Sequence, residues 1–306
     1  MGNLTHVQFI LALLPAVIHG ANILFYFGGT AIQSHWIGLE PLVVKLAERG
    51  HRITVFSPFE YPYGKSNIIN TSSINIKTLF PNDLAAASNE FHENFLRTAL
   101  RSRFKSKYRT DTARFPDRLE AGTKLCELSF KSPEIQTWVN SSHFDLLIID
   151  KSSSAECAYA LAYKFNAKII SYSATAGVLP WDLGLYGLPA ESSWIPSYDV
   201  FYDSKEMGFF PRLFTELSGI LWYYAYLSTL PKYDRIARDL LRIPQMPYLE
   251  DLIRREALIF GNIHYSDSYA KSLPPFVIPI GGMHLTETTT QMLPNVRKEH
   301  TFFTEL

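Results

Sequence analysis

Apolar runs, broken by glycine, proline and small polar residues, divide the chain into alternating strand-like and helix-like segments. Asn22 to Phe27 (NILFYF) is a compact run of β-formers and predicts a strand. The loop GGTAIQSHW, Gly28 to Trp36, leads into a helical pattern from Trp36 to Arg49. Leu42, Val43, Leu46 and Ala47 form its apolar stripe. Pro41 predicts that the regular helix starts near it or that its first turn is kinked. Gly50 stands where a left-handed residue would end that helix. Ile53 to Phe56 (ITVF) predicts the next strand. Residues 22–56 therefore read as a strand–helix–strand unit with a parallel pair and a right-handed crossover.

The pattern then repeats. Residues 74–79 (INIKTL) predict a third strand, and Asn82 to Gln136 is a mostly polar helical stretch. Phe144 to Ile149 (FDLLII) is a strand that runs into Asp150. The serine-rich loop KSSS leads to a helix over 155–165, with Ser153 or Ser154 as its cap and Glu156 in its first turn. Lys168 to Tyr172 (KIISY) follows as a strand. Two such units predict an α/β fold, a Rossmann-like doubly wound parallel sheet with extra helices. Trp181 to Tyr198 reads as an irregular, aromatic-rich insertion. Phe209 to Leu230 is apolar almost all round, which suits a helix that is buried, lines a pocket or lies on a membrane. ALIF (257–260) and FVIPI (276–280) supply two further strands, and a polar run closes the chain.

This topology directs attention to two residues. Ligands of an open α/β sheet bind beyond the carboxyl ends of the strands, where the strand order reverses. With the order 3-2-1-4, His35, after the first strand, and Asp150, at the end of the fourth, meet in one crevice. A histidine at a loop–helix junction is commonly structural; an aspartate on its second ring nitrogen would fix the tautomer of a general base. Ser34 is adjacent in sequence, which does not orient it towards the imidazole, and no G-x-S-x-G elbow is present. The hydroxyl of a bound substrate is therefore the better proton donor. A nicotinamide site is disfavoured, because GGTAIQ replaces G-x-G-x-x-G.

Composition narrows the partners. Lys plus Arg, 29, equals Asp plus Glu, 29, so no whole-chain field points to nucleic acid. The basic run RSRFKSKYR, Arg101 to Arg109, scatters around a helix and reads as a solvated face. Aromatic residues make up 14% and charged residues 19%, a balance suited to an apolar ligand pocket, a membrane face or a generous core. Val7 to Ile18 has signal-peptide length, with Gly20 at the cleavage position, giving a signal over 1–20. Sequons at Asn70 and Asn140 agree with a lumenal location. Cys126 and Cys157 fit either one disulfide or two buried thiols. No Cys or His cluster has metal-ligand spacing, so no metal is expected.

SHW, LAERGHRITVFSP, FDLLIIDKSSSAECAYALAYKFNAKIISYS and VIPIGGMHL, in this order, resemble the N-terminal half of animal UDP-glycosyltransferases, the UDP-glucuronosyltransferase family. The resemblance implies a GT-B fold, with residues 21–283 as its acceptor-binding Rossmann-like domain and 284–306 as the start of the interdomain linker. It implies His35 as base, Asp150 as its partner, and Gly29, Ser34 and Trp36 near the acceptor or donor. A UDP-sugar, UDP-glucose or UDP-glucuronic acid, would be a co-substrate, with no further cofactor. Inverting transfer to a small lipophilic hydroxyl acceptor in the ER lumen is the function implied; peripheral membrane contact is expected separately, from the apolar helix over 209–230. The donor half lies beyond Leu306 in this reading, so the chain alone would have negligible transfer activity. A non-catalytic lumenal or secreted module that binds apolar ligands is the alternative.

Overall fold

In the computed structural model, which describes residues 20–29, 33–59, 76–79, 81–103, 115–175, 177–197, 207–266 and 269–285, strand β1 (Asn22–Tyr26) lies inside a parallel sheet. β2 (Arg52–Phe56) flanks it on one side, with β3 (Ile76–Leu79) beyond. β4 (Leu146–Asp150) flanks it on the other, followed by β5 (Lys168–Ser173), β6 (Leu258–Gly261) and β7 (Val277–Pro279). The order is β3-β2-β1-β4-β5-β6-β7, with every neighbouring pair parallel. It reverses between β1 and β4, at the predicted switch point. Residues 1–19 of the signal expected over 1–20, Asn70 and the chain after Leu285 lie outside the described residues.

Burial on both faces explains why the strands read as unbroken apolar runs. Ile23, Phe25 and Phe27 face one layer, and Leu24 and Tyr26 face the other. Helix α1 (Gln33–Glu48) covers the first face through Trp36, Leu39, Val43 and Ala47, spaced along one stripe. It starts earlier than the sequence predicts and runs through Pro41. The amide hydrogen that Pro41 lacks leaves the Ile37 carbonyl without its helical donor, and Ile37 lies on the exposed side, where water can replace it.

The second face is thicker. The helical stretch expected over 82–136 is divided into α2 (Asn82–Arg103), α3 (Phe115–Lys131) and α4 (Pro133–Ser141). Arg101–Arg103 fall at the end of α2, and the rest of the basic run lies outside the described residues. After β4 come a 3-10 turn (Lys151–Ser153), α5 (Cys157–Phe165) and, beyond β5, α6 (Pro180–Tyr186). α6 occupies the start of the stretch read as irregular. Pro180 opens it, and the Asp182 carboxylate accepts the Leu179 N–H at 2.9 Å.

α7 (Phe209–Leu241) and α8 (Leu249–Ile253) complete this layer. α7 passes its predicted end at Leu230 and continues through exposed Pro231, because Tyr233, Ala237 and Leu241 bury fully against the core. Its first half has two faces. Trp222 and Tyr226 pack on Trp181 of α6, whereas Phe209 and Phe210 are 73% and 77% exposed. Leu213, Leu217, Ile220, Leu221 and Tyr224 extend that exposed apolar face, so only one side of the helix is buried. No described helix is long and apolar enough to cross a membrane.

A disulfide joins Cys126 of α3 to Cys157, the first residue of α5, with Cα atoms 6.0 Å apart across a separation of 31 residues. Closing a loop of that length restricts the unfolded chain and contributes about 3–4 kcal/mol in the chain-entropy account. The double variant Cys126→Ser/Cys157→Ser should accordingly unfold at lower urea, with a loss of about 2–4 kcal/mol by linear extrapolation. An unchanged midpoint would show that the bridge does not constrain the chain.

Candidate active site

Strand alternation places Ile148 and Asp150 on the α1 face of the sheet, at the carboxyl end of β4. His35 lies in the first turn of α1, on the stripe that faces β1 and β4. The two side chains meet across the switch point: His35 Nδ1 is 2.7 Å from Asp150 Oδ2. His35 is 5% exposed and Asp150 1%, so the contact is shielded from bulk water. An ionised carboxylate accepts only, so Nδ1 carries the hydrogen and donates, leaving Nε2 to act as a proton acceptor.

Asp150 uses its other oxygen on its own turn. Oδ1 accepts the Ser152 hydroxyl at 2.7 Å and the Ser152 N–H at 3.2 Å. The Ser153 hydroxyl donates to the Asp150 carbonyl at 2.8 Å, and Ser154 closes the turn in the left-handed region at φ 55°. Ser152 Oγ in turn accepts the Ala174 N–H from the end of β5, at 3.1 Å. Burial alone would push the Asp150 carboxyl up. The opposing charge of His35 and hydrogen bonds from His35, Ser152 and Ser153 outweigh it and hold Asp150 below the ordinary carboxylate value.

The other residues singled out in the sequence take different places. Gly29 has φ 99°, and a Cβ there would collide with the carbonyl oxygens of Ser153 and Ser154. Its bare backbone lets the β1 loop lie directly against the Asp150 turn. Ser34 is exposed in the first turn of α1. Trp36 is buried in the α1-side core, edge-on to Phe27 at 5.3 Å between ring centroids. Asn140 is exposed near the end of α4. Among the described residues, no group of three or more His, Cys, Asp or Glu could hold a metal ion.

Sequence reasoning missed two neighbours of the pair. Tyr172 pairs laterally with Asp150 in the β4–β5 register and is wholly buried beneath α1. Its hydroxyl fits only because residue 38 is glycine: a Cβ on Gly38 would overlap it. Lys151 lies at the other face, enclosed with Asp182 and Glu256. The i, i+3 spacing of His35 and Gly38 was the available signal for the first; nothing local in KSSS signals the second.

A family model described as "UDP-glucoronosyl and UDP-glucosyl transferase" matches residues 30–296. Among curated proteins, the chain is 26% identical to "UDP-glucosyltransferase 2" of Dactylopius coccus, over 91% of this chain and 50% of that protein. It is 29% identical to "UDP-glycosyltransferase UGT4" of the same organism, over 92% of this chain and 52% of that protein. "Ecdysteroid UDP-glucosyltransferase" of Lymantria dispar multicapsid nuclear polyhedrosis virus is 24% identical over 89% of this chain and 51% of that protein. The chain thus spans about half the length of these relatives.

The Gly38–Tyr172 contact makes a prediction with a built-in contrast. Gly38→Ala should destabilise the chain by about 1–3 kcal/mol through overpacking, and most of that loss should vanish in a Tyr172→Phe background. Gly219→Ala, in α7 with open space around its Cβ, should instead stabilise by about 0.5–1 kcal/mol. Thermal or urea unfolding measures all four proteins.

Proposed function

Because the chain belongs to the UDP-glucuronosyl and UDP-glucosyl transferase family, we propose that it forms the acceptor-binding half of an inverting UDP-sugar transferase. The observation that carries this reading is the shielded 2.7 Å contact between His35 Nδ1 and Asp150 Oδ2. In this mechanism His35 Nε2 removes the proton of the acceptor hydroxyl as its oxygen attacks the anomeric carbon. The new C–O bond forms on the face opposite the leaving group, the bond to UDP breaks, and the configuration inverts. Asp150 stabilises the imidazolium that forms and keeps the ring in the productive tautomer. The His–Asp pair supplies proton transfer; the UDP-sugar, UDP-glucose or UDP-glucuronic acid, enters as co-substrate through the other half of the transferase.

A small lipophilic alcohol or phenol is the acceptor class we assign. The aromatic-rich chain supports it, and one relative carries an ecdysteroid in its name. The Cys126–Cys157 disulfide and the exposed sequon at Asn140 support a secretory-pathway, ER-lumenal setting. The exposed apolar face of α7 supports peripheral contact with a lipid surface. A binding module without catalysis is the competing reading, and the base variants separate the two.

When the chain is joined to a donor half of the family, His35→Ala should abolish transfer to hydroxyl acceptors while UDP binding persists. Asp150→Asn should lower turnover by about 10²–10⁴-fold, the range of acid–base groups. Near-wild-type turnover of the His35 variant would sink the assignment. For the lipid contact, co-sedimentation with vesicles is the readout. Leu217→Ser/Leu221→Ser should weaken it by at least about tenfold, given ~1.5–3 kcal/mol per large apolar side chain buried.

A further inference from the structure

Successive residues at a strand end point to opposite faces, so Lys151 enters the layer of α5, α6 and α7 while Asp150 faces α1. The Lys151 side chain is only 4% exposed. Its Nζ lies 2.8 Å from Asp182 Oδ1 and 3.2 Å from Glu256 Oε2, and both carboxylate side chains are fully enclosed. Glu256 also accepts the hydroxyls of Tyr186, at 2.6 Å, and of Tyr159. The Tyr186 ring lies 5.3 Å from the same ammonium. One lysine therefore ties the end of β4 to α6, to the approach to β6 and, through Glu256, to α5.

Enclosing an ammonium and two carboxylates contributes little net stability, because their desolvation opposes their attraction. What such a cluster supplies is a fixed geometry. Burial disfavours the Lys151 ammonium, but Asp182 and Glu256 outweigh it and raise its pKa, so the tie stays charged at neutral pH. Ser152 and Ser153 fix the turn through Asp150 itself, and Gly29 packs on its carbonyls. These contacts define the shape of the turn, whereas Lys151 anchors it to the opposite layer.

We propose that Lys151 is a positioning residue: held by Asp182 and Glu256, it locks the 151–153 turn so that Asp150 stays within bonding distance of His35. The catalytic consequence rests on the base reading of His35; the lock itself concerns only the bond between the two side chains.

The test reads that bond in the 15N-labelled chain. The His35 Nδ1–H proton, bonded to a buried carboxylate, gives a resonance identified by its loss in His35→Gln. Lys151→Met should weaken it by about tenfold in folded protein, and Lys151→Arg should restore it; a displacement near 1 Å is enough to cost about 10²-fold in a positioned reaction. Lys151→Met leaves two buried carboxylates without their cation and can prevent folding. The near-isosteric neutral variant Lys151→Met/Asp182→Asn/Glu256→Gln is therefore read beside it, with near-UV circular dichroism reporting folding. Wild-type intensity in a folded variant of either kind overturns the proposal. Failure of both to fold assigns the cluster to stability alone and overturns it too. So does an equal loss in Arg238→Met, which breaks the Arg238–Asp234 pair, 3.0 Å, within α7. Loss of the resonance with unchanged turnover in the chain joined to a donor half would support the lock and retire the base reading, so the two ideas fail separately.

Discussion

A carboxylate 1% exposed at the end of an inner parallel strand must be matched by donors, or burial would neutralise it. Asp150 finds them on three elements: His35 from α1, the hydroxyl and N–H of Ser152 from its own turn, and, through Ser152, the Ala174 N–H after β5. Much of the local architecture follows from satisfying that one group. The chain leaves β1 through Gly29 because only a bare backbone can lie against the Asp150 turn. α1 carries glycine at position 38 because Tyr172, the lateral neighbour of Asp150, lies beneath it.

The sheet's two buried faces divide the labour. On the α1 side, Asp150 at the end of β4 and His35 in the first turn of α1 meet in the crevice that a reversal of strand order creates. On the other side a thick helical layer, closed by the Cys126–Cys157 bridge, holds the same strand ends in place. Lys151 belongs to that second layer although it is adjacent to Asp150 in sequence. The relatives are about twice as long as the span they share with this chain, and under the proposed function this half would supply the base and the acceptor wall.

Legibility in the sequence followed the range of the interactions. β1, β2, β4 and β5 were readable because strands buried on both faces are unbroken apolar runs, and the strand order around β1 is the one a doubly wound fold carries. His35 and Asp150 were then legible by topology alone. Pro41 misled, because tertiary burial on one side of α1 outweighs a lost hydrogen bond on the exposed side, and burial likewise carries α7 through Pro231 past the apolar run that ends at Leu230. α6 was hidden in a run rich in glycine and aromatics, although Pro180 and Asp182 are ordinary helix-start residues. Lys151, Asp182 and Glu256 were out of reach, since each reads as a surface charge until the fold brings them together. The cysteines were readable as a pair, but their pairing depended on α3 lying against the start of α5.

The central claim is that His35, oriented by Asp150, removes a proton from the acceptor. Transfer rates to a series of phenols and alcohols of decreasing pKa, compared between wild type and His35→Ala in the chain joined to a donor half, test it most directly. A missing base matters least for an acceptor that is already ionised, so the deficit should be greatest for alkanols and shrink steadily towards the most acidic phenols. An equal deficit across the whole series would contradict the account.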